Sequence, residues 1–150
     1  QSSLTKIPFT RKSLDTIILS MVFHHLNSKY QKEMIKNLNS YLRNKGKIIL
    51  IEDTYPEKTN ISKCSRITKE FLSFKPSEKK KILYFYDWFG NRLMRNRDNI
   101  NLTNSYKTME GWKSFFEKNG MKQIRSEFIK ENPTSPDIFP PKDIIVFQNK

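Results

Sequence analysis

The sequence predicts an α/β domain: a short sheet of two parallel strands extended by an antiparallel pair, with helices packed on it. Three observations lead there. Two Ile-rich runs, Asp15 to Val22 and Lys47 to Ile51, have the continuous apolar character of buried strands. An amphipathic stretch between them supplies the crossover that parallel strands require. Near the C-terminus, Met121 to Phe128 and Ile144 to Phe147 flank a proline-bearing loop, Glu131 to Lys142, and can pair antiparallel.

Taken in order, Ile7-Pro8-Phe9 makes a tight turn. Leu14-Asp15-Thr16-Ile17 then opens a strand whose unbroken apolar run predicts burial on both faces. The strand runs out in a polar cluster, Ser20, Met21, His24 and His25. Asn27 or Ser28 can cap the next helix, and Ser28 with Gln31 has capping-box spacing. Tyr30, Met34, Leu38 and Tyr41, with Ile35 and Leu42 beside them, keep helical spacing, and Gly46 suits the stop. The second strand ends in Glu52-Asp53-Thr54-Tyr55-Pro56, followed by a loop to Asn60. This strand, helix and strand form a βαβ unit, whose crossover is expected to be right-handed.

Two helical patterns follow. Ser62 to Phe74 places Ile67, Phe71 and Phe74 on one side, and Pro76 ends it. Ser77 to Arg95 carries a broad stripe of Ile82, Leu83, Phe85, Tyr86, Phe89 and Leu93. Asn96 to Asn104 is a polar loop. Thr108 can cap a last helix with Trp112, Phe115 and Phe116, stopped by Gly120.

The bulk numbers set bounds. At 150 residues and 36% hydrophobic content, the chain is a single domain, 1–150, with enough apolar side chain for a core. A net charge of +13 invites an RNA or acidic-substrate partner, but Lys and Arg are spread over nearly every segment. Lys79, Lys80 and Lys81, with Arg92, Arg95 and Arg97, are the candidate phosphate-contacting stripe. Cys64 is the only cysteine, so no intrachain disulfide forms and a reducing, cytoplasmic setting is expected. No apolar run approaches the roughly 20 residues of a membrane span. No metal site is predicted: His24 and His25 are adjacent, which makes sharing one ion difficult, and no clear third ligand accompanies them.

The succession Ile7-Pro8-Phe9, Leu14-Asp15-Thr16-Ile17, His24-His25-Leu26, Lys45-Gly46-Lys47 and Glu52-Asp53-Thr54-Tyr55 resembles the second half of class I S-adenosylmethionine-dependent methyltransferases. Asp87-Trp88-Phe89-Gly90-Asn91 and the segment from Thr108 to Gly120 continue the likeness, which covers about residues 4 to 148. It implies a partial Rossmann-like sheet, with strands in the spatial order first, second, last, then the Met121 strand. It also implies S-adenosylmethionine as cofactor and methyl transfer to an acceptor that the sequence does not identify. By this likeness Ile7, Ser20, Met21 and His24 would line the cofactor side. Asp53, Tyr55, Asp87 and Asn91 would line the substrate side. His25 is the catalytic candidate, since an imidazole can take a proton from an oxygen or nitrogen acceptor near neutral pH.

The family's Gly-rich turn and the acid ending its second strand would lie upstream of Gln1. The expectation is therefore a truncated domain, inactive in isolation, whose first strand is a sheet edge. Such an edge invites pairing with a missing N-terminal half, a second copy or another subunit. The alternative readings are a non-catalytic interaction module that keeps the fold, and a basic RNA-binding domain.

Overall fold

The computed structural model describes residues 8–55, 66–103, 105–129 and 142–150. Strand β1 (Leu14–Ser20) leads through a short 3-10 turn, Phe23–His25, into helix α1 (Ser28–Tyr41) and strand β2 (Leu42–Tyr55). Helices α2 (Arg66–Ser73) and α3 (Pro76–Trp88) follow, and α3 runs on into a π-helical turn, Phe89–Leu93. A two-residue strand β3 (Lys107–Thr108), helix α4 (Met109–Lys118) and strands β4 (Met121–Ile129) and β5 (Lys142–Asn149) complete the order.

The sheet runs β1-β2-β5-β4, the spatial order the resemblance implied. β1 and β2 are parallel, with Ile17 opposite Ile48 and Ser20 opposite Ile51. β2–β5 and β5–β4 are antiparallel. β3, which the sequence did not reveal, pairs parallel with the end of β2 at Thr54 and Tyr55. Two parallel and two antiparallel pairings with flanking helices make this the expected mixed α/β architecture.

One buried cluster holds the sheet and two helices together. Leu19 of β1, Ile48 and Leu50 of β2, and Ile145 and Phe147 of β5 meet Ile35 and Leu38 of α1 and Trp112 and Phe116 of α4. Phe116 stacks on Phe147 with ring centroids 4.1 Å apart, and Phe23 from the 3-10 turn packs on Trp112 and Phe116. Because strand side chains alternate, this fixes which face of the sheet the two helices cover. A smaller cluster of Phe71, Leu83 and Tyr106 joins α2, α3 and the segment before β3.

Several sequence expectations need correction. β1 is not buried on both faces. Ile18 is 62% exposed, because it alternates away from the α1–α4 layer and β1 is an edge of the sheet. Gly46 does not stop α1, which ends at Tyr41; it lies inside β2 where the pairing with β1 slips. A Cβ there would sit 2.8 Å from the Arg43 carbonyl oxygen, so close backbone approach explains the glycine. Asn27, not Ser28, caps α1, accepting from the Tyr30 N–H, while Gln31 turns inward instead of closing a capping box. On α3 and the π-helical turn, Phe85, Tyr86, Phe89 and Leu93 of the expected apolar stripe are exposed, and Leu83 is the residue that is buried. In α2, Phe71 is buried but Ile67 is exposed, as is Phe74 just beyond the helix end. The first residues of that expected helix, and most of the proline-bearing loop, lie outside the described residues. Thr108 caps α4 as expected, and Gly120 follows it with φ 88°.

Candidate functional site

The site is organised by one buried carboxylate. Glu52, at the end of β2, accepts from the backbone N–H groups of Val22 (3.1 Å) and Phe23 (2.6 Å) and from His24 Nδ1. Three donors from the turn after β1 thereby satisfy a carboxylate with no solvent exposure. Met21 makes the turn possible by adopting φ 53°, an uncommon conformation for a residue with a side chain, and its N–H bonds to the Ile51 carbonyl at 2.9 Å. Gln31 of α1 locks the turn from the other side. Its amide nitrogen donates to the Phe23 carbonyl at 2.9 Å, and its amide oxygen accepts from Lys107 Nζ at 3.0 Å.

His24 is buried, stacked on Tyr106 at 4.8 Å between centroids. Burial opposes a charge on it, but the hydrogen bond and charge of Glu52 prevail and raise its pKa. His25 is half-buried, and burial together with the adjacent His24 lowers its pKa, which favours the neutral ring. Its Nδ1 lies 3.5 Å from Asp87 Oδ2 on α3. Asp87 in turn accepts from Asn91 Nδ2 at 2.6 Å and from the Tyr106 hydroxyl. Burial and Asp87 push the Tyr106 phenol far above its ordinary range. Asp53 faces Lys142 directly across the β2–β5 pairing and bonds it at 2.7 Å. Burial still raises the Asp53 pKa against that lysine. Lys107 sits over the Trp112 and Phe115 rings, and burial, then Lys80, lowers its pKa.

His24, His25, Asp53, Asp87, Tyr106 and Lys142 line a crevice of about 1150 Å³ at the carboxyl ends of β1 and β2, roofed by α3 and the loop after it. Open α/β sheets bind ligands at this end. Ser20, Met21, His24, His25, Asp53, Asp87 and Asn91, all expected as site residues, lie on its wall. Ile7 and the Tyr55 side chain are outside the described residues. Asn91 and Asp87 bond to each other as their i, i+4 spacing suggested, and they still reach the crevice. Sequence reasoning missed Tyr106, Lys142 and Asn101 as wall residues, and it grouped Glu52 with Asp53 and Tyr55 on the substrate side, whereas Glu52 is the buried acceptor for the turn after β1. Glu52 had a signal, an acid closing an apolar strand opposite the histidines. Tyr106 had none.

The basic stripe divides. Arg95 and Arg97 line the crevice. Arg92 instead donates to the carbonyls of Arg97 and Ile100, pinning the loop that carries crevice residues. No described helix is long and apolar enough to cross a membrane.

The family model described as a methyltransferase domain matches residues 1–50. No curated protein sequence matches the chain. Among solved structures, the mitomycin 7-O-methyltransferase MmcR is similar at 12% identity and TM-score 0.56, over 98% of this chain and 32% of that one. LepI in complex with S-adenosylmethionine is similar at 12% identity and TM-score 0.52, over 91% of this chain and 26% of that one. A chain from the complex of the Haloferax volcanii Trm112 methyltransferase activator with a methyltransferase matches at 10% identity and TM-score 0.56, over 99% of this chain and 59% of that one. The chain thus spans about a third of MmcR and a quarter of LepI. With this strand order, crevice and set of likenesses, the chain has the fold of the class I S-adenosylmethionine-dependent methyltransferases.

Proposed function

We propose that the chain is the acceptor-side part of an S-adenosylmethionine-dependent methyltransferase and that its crevice presents an oxygen or nitrogen acceptor to the methyl donor. The observation that carries this reading is His25, a crevice-wall residue whose ring favours the neutral form and whose buried Nδ1 has no hydrogen-bond partner among the described residues. The cofactor supplies an activated methyl group on a sulfonium. In-line transfer then needs an aligned acceptor that can lose its proton. His25 takes that proton, and Asp87 stabilises the imidazolium so formed. Asn91 and Tyr106 hold Asp87 in place, and Asp53 with Lys142 bounds the acceptor on the β2 side.

The residues present fit one side of the cofactor. Ser20 and Met21 stand at the open end of β1, where the left-handed turn at Met21 exposes them to the crevice. The sequence has no G-x-G turn that would cradle the other side. The outer edge of β1, unpaired among the described strands, is where we place the rest of the domain or a partner subunit in a cytoplasmic assembly. The Haloferax complex, a methyltransferase with an activator, supports such partnering. Calorimetry with S-adenosylmethionine and with its demethylated product tests the reading. Saturable binding that His25→Ala leaves intact supports it, because His25 serves the acceptor and not the cofactor. Absence of binding at millimolar ligand rules out cofactor use by this chain and favours the interaction-module alternative.

A further inference from the structure

We propose that His24, His25 and Asp87 together bind one divalent transition-metal ion, best matched by zinc, at the wall of the crevice. One ligating atom from each of the three residues lies within 4.8 Å of the others. Tetrahedral zinc with bonds of about 2.0–2.1 Å holds neighbouring ligand atoms roughly 3.4 Å apart. The 3.5 Å between His25 Nδ1 and Asp87 Oδ2 already matches that spacing.

That contact is not a hydrogen bond. His25 Nδ1 is buried and has no hydrogen-bond partner among the described residues. A neutral ring with its proton on Nε2 leaves the unbonded Nδ1 its lone pair. A lone pair and a carboxylate oxygen thus face each other across a gap that a cation fills. His24 can supply a second nitrogen, since binding the ion displaces the proton that Nε2 carries. Its Nδ1 is committed to Glu52, which leaves Nε2 as the ligating nitrogen. The negative charge behind the ring favours a cation there. A buried carboxylate behind a ligating histidine is the usual device for orienting and strengthening such a ligand.

Asp87 is equally well held, by the Tyr106 hydroxyl and Asn91. Two imidazoles and one carboxylate suit zinc better than magnesium, which prefers all-oxygen surroundings. Three protein ligands leave a fourth position open for water or an acceptor atom. Adjacency of the histidines is no obstacle here. On a strand they would point apart, but in the 3-10 turn their ring centroids lie 4.1 Å apart.

This goes beyond methyl transfer. One lone pair on His25 serves a proton or a metal, not both, so zinc loading blocks its work as a base. The test uses the untagged chain after dialysis against chelator. Zinc is followed by calorimetry and cobalt by visible absorption. One equivalent should bind saturably, with cobalt bands lacking thiolate charge transfer. Cys64→Ser should bind as the parent does. His25→Ala and Asp87→Asn should lose binding at concentrations that saturate the parent. Glu52→Gln should weaken it by about 10-fold to 100-fold. Circular dichroism checks folding, and if Asp87→Asn fails that check, the less buried His25→Ala decides. Absence of saturable binding by the parent, its persistence in His25→Ala, or its loss in Cys64→Ser overturns the proposal. Cofactor binding is measured separately in chelator-containing buffer, so either result stands without the other.

Discussion

Strand β2 is built of two materials. In its middle, Ile48 and Leu50 are fully buried among Trp112, Phe116 and Phe147. A few residues on, Glu52, Asp53 and Thr54 are nearly as buried, yet each bonds a partner from another element: His24, Lys142 and Asp143. The apolar stretch is held by volume, so what matters there is how much side chain fills the space. The polar end is held by pairing, so what matters is whether each donor and acceptor keeps its counterpart. The first region makes the sheet, and the second keeps reactive groups fixed at the mouth of a crevice.

Mutations should separate the two kinds of support. Phe116→Ala removes a ring packed on both Phe147 and Phe23 and should cost about 3–5 kcal/mol in urea unfolding. Glu52→Ala deletes the acceptor for three donors, two of them in buried bonds, and should cost about 3 kcal/mol, although it removes little apolar surface. If Glu52→Ala were as mild as an exposed substitution, pairing would not be what holds the polar end. Thr108→Ala removes the cap on the Gly111 N–H and should cost about 1 kcal/mol, with loss of helicity confined to α4. Ile18→Thr, on the exposed side of the edge strand, should stay within about 0.5 kcal/mol in the isolated chain. A larger loss there would mean that this face of β1 is already covered.

What the sequence made legible follows the same division. The βαβ unit was readable because Ile-rich runs and the spacing of Tyr30, Met34, Leu38 and Tyr41 are local signals. The strand order was readable through the likeness of the whole succession of motifs. Gly46 was misread because a glycine soon after a helical pattern looks like a stop, whereas its cause is a close contact with Arg43. Ile18 was misread because a continuous apolar run says nothing about which neighbours are there to cover it. At the crevice, the histidines and Asp53 were visible as polar groups closing apolar strands. The meeting of His25 with Asp87, 62 positions later in the chain, depends on how α3 folds back over the sheet, which no local pattern encodes. Tyr106 and Lys142 entered the site for the same reason.

As proposed, the carboxyl ends of β1 and β2 form a crevice for methyl donor and acceptor. Its most direct test is a titration of the isotope-labelled chain with S-adenosylhomocysteine, followed by amide chemical shifts. Saturable shifts are expected, centred on Ser20, Met21, His24 and His25, with the β4–β5 pair unmoved. Shifts confined to residues away from that crevice, or none at millimolar ligand, would contradict it.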